Sequence, residues 1–299
     1  MLPVLFELNL HFLGLGTVAV RTYSLFLLLA FIAAIIVFHF ILKKRTLMDT
    51  GIVTDLAFWV IIGVVVGSRL AYVFMHWPEF KDAPQRIFAI WEGGAVYYGG
   101  FILAFIAGGI YVWAKKLPIF PLLDSIAPVV ALGEGIGRFG CFFNGCCFGN
   151  PTDVCGITFP EHSLASFAFG PDHSIWPTQL FQAGGGLLLF GILLLLMQIK
   201  SLRKGQLFGF FLLGFGGLRF GVNFFRYYEN DLNLWTNQII ALGLMAAGIG
   251  FVVLCQFIQQ KVPSPAWIAA ERAKMLAKAK EQEKKPSSKK KSSKHKGKH

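Results

Sequence analysis

The chain has 299 residues and a formal net charge of +12; 55% of it is hydrophobic and only 15% charged. Soluble globular domains carry about a quarter charged residues, so this composition excludes one and points to a chain built for the lipid bilayer. The charge is segregated: from Lys261 onward 13 Lys or Arg face three Glu, a net of +10, whereas the preceding residues hold 15 Lys or Arg against 13 Asp or Glu, a net of +2.

Seven apolar segments follow one another at roughly 22–42, 56–76, 96–114, 121–140, 178–199, 206–225 and 237–258. Each is long enough for one crossing of the hydrocarbon core, about 20 residues. The first begins after Arg21 and runs too long for the apolar region of a cleavable leader, so it reads as a true span. The fourth contains Pro128, Glu134 and Arg138, and is expected to be broken or re-entrant. Basic clusters follow span one (Lys43, Lys44, Arg45), span three (Lys115, Lys116), span five (Lys200, Arg203, Lys204) and span seven (Lys261 and the tail). With seven spans all four fall on one side, which the positive-inside rule makes cytoplasmic. The expected architecture is an all-α polytopic membrane protein of about seven transmembrane helices, N-terminus outside and C-terminus cytoplasmic. Residues 1–262 are expected to form the transmembrane domain, with an outer loop at about 141–177. Residues 263–299 form a basic, largely disordered tail that touches anionic lipid, with a short helix over 263–279. Nucleic acid is not an expected partner.

Charged side chains at membrane depth are costly and usually face the bundle interior. Arg69, Glu134, Arg138, Arg219 and Arg226 fall in or beside the apolar segments, with the amides Asn144 and Asn223. Guanidinium groups outnumber carboxylates, and a bound anion such as phosphate would restore the balance through bidentate hydrogen bonds. The competing reading makes Arg69 and Glu134 a structural ion pair and lets Arg226 reach the outer headgroups. Glycine-rich stretches, "WEGGAVYYGG", "GEGIGRFG" and "GFGGLRFG", suit either close helix contact or an anion-binding backbone.

Four cysteines, Cys141, Cys146, Cys147 and Cys155, lie within 15 residues on the expected outer side. A disulfide from Cys155 to Cys146 or Cys147 suits an oxidising compartment. Free packed thiols, a metal site and redox catalysis are the alternatives. Adjacency of Cys146 and Cys147 argues against a tetrahedral metal, and no C-x-x-C pair is present, so no metal or cofactor is expected.

Five motifs in order resemble the prolipoprotein diacylglyceryl transferases of the bacterial inner membrane. They are "GSRLAYV" (Gly67–Val73), "YYGG" (Tyr97–Gly100), "GRFGCFFNG" (Gly137–Gly145), "WPTQLFQ" (Trp176–Gln182) and "LRFGVNFFR" (Leu218–Arg226), with Tyr23 matching an early family tyrosine. The departures are specific. The histidine preceding Gly-Gly in the family is Tyr98 here. The asparagine after Arg-x-Gly is Cys141, the glutamate after Asn-Gly is Cys146, and the glutamate of the last motif is Asn223.

The resemblance implies transfer of a diacylglyceryl group from phosphatidylglycerol to the lipobox cysteine of a prolipoprotein. A thioether forms and glycerol-1-phosphate leaves, on the outer side of the inner membrane. Arg138 and Arg219 would hold the phosphate, and Tyr98 and Glu134 would complete the catalytic set. Tyr23, Arg69, Tyr72, Gly99, Gly100, Asn144, Gln179, Asn223 and Arg226 would bind substrate. A divergent paralogue using another lipid or acceptor, and a non-enzymatic transporter or scaffold, are the competing functions.

Overall fold

The computed structural model describes residues 4–9, 17–81, 83–89, 93–161, 163–170, 172–199, 201–258, 262–263 and 265–284. Lys200, Lys261 and the end of the basic tail, 285–299, lie outside the described residues.

A two-stranded antiparallel hairpin, β1 (Val4–Asn9) and β2 (Thr17–Arg21), opens the fold, and the sequence carried no clear signal for it. Helices then occupy all seven predicted apolar segments: α1 (Thr22–Arg45), α2 (Gly51–Met75), α4 (Tyr97–Ala114), α5 (Ile119–Asn144), α7 (Thr178–Leu196), α8 (Gln206–Asn223) and α9 (Asp231–Ile258). Five of these, α1, α2, α5, α7 and α9, are long and apolar enough to cross a membrane; the chain is an all-α, multi-pass membrane protein. Between α2 and α4 lie the short α3 (Trp77–Phe80) and a 3-10 turn, Pro84–Phe88.

The fourth segment departs from expectation. α5 runs unbroken through Pro128, which is itself fully buried. Of the five long helices it is the most enclosed, with 44% of its apolar window buried against 22–33% in the others. Packing against α1, α7 and α8 supplies what hydrocarbon cannot, so a proline and two charges are tolerated without a break.

Helix pairing divides the molecule. α5 packs on α1 and α7, and α8 packs on α9, α7 and α5; α2 packs mainly on α4. Among the described residues no comparable contact joins α4 to α5, α7 or α8. The α2–α4 seam depends on Gly67 and Gly99. A Cβ on Gly99 would overlap that of Ala71 and sit 2.5 Å from the Gly67 carbonyl oxygen. This assigns the "YYGG" glycines Gly99 and Gly100 to helix contact. Gly99→Leu is expected to cost about 1–3 kcal/mol by overpacking. Thermal unfolding in detergent measures it; an unchanged midpoint would show that the seam yields freely.

The predicted outer loop folds as a small cap. It contains the two-residue strands β3 (Ile157–Thr158) and β4 (Ser174–Ile175), paired antiparallel, and α6 (Leu164–Phe169). Its core holds Phe159, Ala165 and Ile175, with Phe148 and Phe169 packed beside them. Phe148 stacks on Tyr227 beyond α8, at 5.7 Å between ring centroids, and Asn150 N–H donates to Phe225 O at 2.8 Å. The cap is thereby tied to the end of α8.

At the opposite end, α10 (Pro265–Lys284) forms where a short helix is expected over 263–279 and runs five residues beyond it. Ile268 is buried and Arg272 Nη2 donates to Thr46 O at 2.8 Å, docking α10 beside the end of α1. A cavity of about 520 Å³ lies at this end, lined in part by Arg45, Asp124, Arg203, Lys204 and Ile268.

Candidate active site

Three guanidinium groups gather where α5, α8 and the cap meet. Arg138 stands one helical turn beyond Glu134 on α5, so their side chains share a face. Arg138 Nε donates to Glu134 Oε1 at 2.8 Å, and neither side chain is more than 24% exposed. Gln182 Nε2, from the facing α7, donates to the same oxygen at 3.0 Å. Arg219 lies near the end of α8 and donates from Nη2 to Asn237 Oδ1 at 3.2 Å. The charges of Arg226 and Arg138 both act on Arg219, which places the three cations in one electrostatic neighbourhood. Among the described residues Glu134 is the one carboxylate that acts on Arg138 and Arg219. The cationic excess inferred from sequence is therefore a local one. Neither of the two cavities described is lined by Arg138 or Arg219.

A buried amide network supports the arginines from behind. Asn223 Nδ2 donates to Gln238 Oε1 at 3.2 Å, and Tyr228 OH donates to Asn223 Oδ1 at 2.9 Å. The Arg226 guanidinium lies 5.6 Å from the Tyr228 ring centroid. Asn223 thus serves the scaffold of the site. Gln179 is 1% exposed; its Nε2 donates to Cys146 O at 2.8 Å, while its Oε1 is a buried acceptor without a protein partner. Such an orphan is costly and usually reserved for a ligand or an ordered water.

Arg69 belongs elsewhere. It does not pair with Glu134. Its Nε donates to Ile87 O at 2.9 Å, its Nη1 to Gly93 O at 2.5 Å and its Nη2 to Arg86 O at 2.6 Å. Its guanidinium also lies 5.8 Å from the centroid of Tyr72, which stacks on His76 at 4.2 Å. Arg69 and Tyr72 therefore organise the connection between α2 and α4 rather than face the other arginines. Tyr98, in the first turn of α4, has 74% of its surface exposed, and Tyr23, in the first turn of α1, has 37%. Tyr23 lies against Gly140 of α5, two residues beyond Arg138, whereas no comparable contact of α4 with α5 or α8 among the described residues brings Tyr98 toward that group.

The cysteines also differ from expectation. All five are free, and Cys155 is exposed, so the bridge expected from Cys155 to Cys146 or Cys147 is not formed. Instead the sulfurs of Cys141, Cys146 and Cys147 lie within 4.8 Å of one another. Gly145 ends α5 in the left-handed region at φ 71°, and Cys147 follows at φ 60°. A non-glycine residue in that region costs about 1 kcal/mol or more. Here the conformation is held by Thr178 Oγ1, which donates to Cys147 O at 2.8 Å, and by the Gln179 bond to Cys146 O. Asn144 hydrogen-bonds the Cys146 side chain. Hydrogen bonding from Cys141 and Cys146 pulls the Cys147 thiol below its ordinary value, against burial, with help from the charges of Arg226 and Arg138.

Gln182, Asn237, Gln238, Tyr228 and Thr178 are parts of the site not singled out from sequence. A signal for one of them existed: Gln182 lies three residues after Gln179, so the two amides share a face of an otherwise apolar helix.

The family model for prolipoprotein diacylglyceryl transferase matches residues 11–254. The chain is 35% identical over 253 residues to the phosphatidylglycerol–prolipoprotein diacylglyceryl transferase of Bordetella parapertussis, covering 80% of this chain and 92% of that one. It is 32% identical over 251 residues to the corresponding protein of Cupriavidus pinatubonensis, covering 80% and 88%. With the Trichormus variabilis protein it shares 32% identity over 210 residues, covering 69% and 70%. Matches of this length, spanning α1 to α9 and containing Arg138, Arg219 and Arg226, place the chain in the prolipoprotein diacylglyceryl transferase family.

Proposed function

We propose that this chain transfers a diacylglyceryl group from phosphatidylglycerol to the lipobox cysteine of a prolipoprotein. It does so at the outer face of a bacterial inner membrane, crossed by seven helices with the N-terminus outside and the C-terminus cytoplasmic. One observation carries the reading: Arg138 and Arg226 both act on Arg219, and Glu134 is the one carboxylate among the described residues that acts on Arg138 and Arg219. A phosphodiester headgroup supplies the missing negative charge.

The thiolate sulfur attacks the glyceryl carbon, the carbon–oxygen bond to phosphorus breaks, and glycerol-1-phosphate departs. Arg138 and Arg219 stabilise the charge that gathers on the leaving phosphate. Preorganised cations of this kind lower a barrier because they need not reorient during the reaction. An ordinary thiol has a pKa of about 8.5, so the acceptor must be deprotonated at neutral pH. Glu134 is placed to receive that proton, since its two hydrogen bonds end on Oε1 and leave Oε2. Gln179 Oε1 accepts from a headgroup hydroxyl, and Tyr23 and Asn144 add further hydrogen bonds to the headgroup.

Incubating the purified chain with phosphatidylglycerol and a lipobox peptide is expected to add one diacylglyceryl mass to the cysteine peptide and nothing to its serine counterpart. No mass gain with active-family positive controls running alongside would remove the reading. A second reading, a paralogue acting on another lipid or acceptor, is favoured by the exposed Tyr98 standing where the family carries histidine. Modification with a different phospholipid, and none with phosphatidylglycerol, would select it.

A further inference from the structure

We propose that Cys141, Cys146 and Cys147 form a three-thiolate site for one thiophilic d10 metal ion, of which zinc(II) is the representative. Their sulfurs already lie within 4.8 Å of one another. A zinc–thiolate bond is about 2.3 Å, so tetrahedral sulfurs sit about 3.8 Å apart, and any pair must close by at most about 1 Å. Each sulfur swings about a single χ1 torsion, and rotation there is the movement this closure uses.

Adjacency of Cys146 and Cys147 is the natural objection, because neighbouring side chains usually diverge. The positive φ of Cys147 answers it by turning the second side chain back toward the first. That backbone is anchored independently of any metal. Thr178 and Gln179, each 1% exposed, hold the carbonyls of Cys147 and Cys146, and Cys146 N–H donates to Cys141 O at 3.1 Å. Bonds of this kind fix the orientation of metal ligands.

Charge agrees with the assignment. Arg138 and Arg226 both act on Cys147, and Arg138 interacts with Cys141 as well. Three thiolates without a metal would repel one another in a half-buried site. With a divalent ion they carry a net charge of −1, which the two arginines complement. Zinc binding displaces the thiol protons, with no change of oxidation state. The fourth tetrahedral position stays open to solvent or an added thiol.

The test uses the full chain in detergent, reduced and freed of metal, with no lipid or peptide present. Its failure therefore leaves the transferase reading untouched. Cobalt(II) is expected to bind at one equivalent with thiolate-to-metal charge-transfer absorption, and zinc(II) to displace it. The Cys141→Ser/Cys146→Ser double variant is expected to lose the band and Cys155→Ser to keep it. Should the double variant misfold, the wild-type chain decides: zinc is expected to protect Cys141, Cys146 and Cys147 from alkylation but not Cys155. Equal alkylation of all four with and without zinc, or a band retained by the folded double variant, would overturn the assignment. So would a disulfide joining two of the three in the protein isolated without reductant.

Discussion

Arg138→Ala is expected to lower diacylglyceryl transfer on the order of 10²- to 10³-fold, the usual cost of removing one preorganised electrostatic contact to a developing charge. Two losses combine. The leaving phosphate loses a guanidinium, and the Glu134 carboxylate keeps only its bond from Gln182. Arg138→Lys retains the charge without the planar fork and should fall between wild type and alanine. The fold should survive, because Arg138 pairs within its own helix rather than between helices. The measurement is turnover with phosphatidylglycerol and a lipobox peptide, alongside a thermal melt of each variant. Full turnover by a folded Arg138→Ala protein would take this residue out of the reaction.

Asp124→Ala is expected to act on stability instead, by about 2–4 kcal/mol, the combined worth of two charge-assisted hydrogen bonds at a helix start. Asp124 lies on α5, far along the helix from Arg138, and only 9% of it is exposed. Its Oδ2 accepts from Gly205 N–H at 2.6 Å and its Oδ1 from Phe208 N–H at 3.0 Å. The carboxylate therefore caps α8 from another helix and meets the positive end of its dipole. Alanine leaves two amide donors without a partner in a part-buried position. An asparagine side chain keeps one acceptor oxygen, so Asp124→Asn should lose roughly half as much. Lowered unfolding temperature with near-normal turnover in the cold is the expected pattern. A turnover loss without a stability loss would contradict it.

The two residues differ in how visible they were. Arg138 stood out because a cation within an apolar run demands an explanation. Asp124 drew no comparable attention near the start of the same run, because its partners lie more than 80 residues away on α8. Arg69 shows the reverse case. Its depth in α2 made it a candidate for substrate or for Glu134, yet backbone carbonyls of the following connection take its donors. Long-range acceptors of that kind leave no mark in residue identity. Pro128 argued for a broken helix only until the enclosure of α5 was known.

Membrane character, the seven helical segments, the family and the local excess of guanidinium over carboxylate were all legible in the order of residues. Each follows from composition over some 20 residues or from residue identity, and needs no knowledge of distant contacts. Three things became visible only in the folded chain: which acceptor each buried cation takes, which glycines face another helix, and that three cysteines rather than two share a site. Those outcomes depend on the sign of φ at Cys147 and on contacts between segments far apart in the chain, and neither is encoded in any short run of residues.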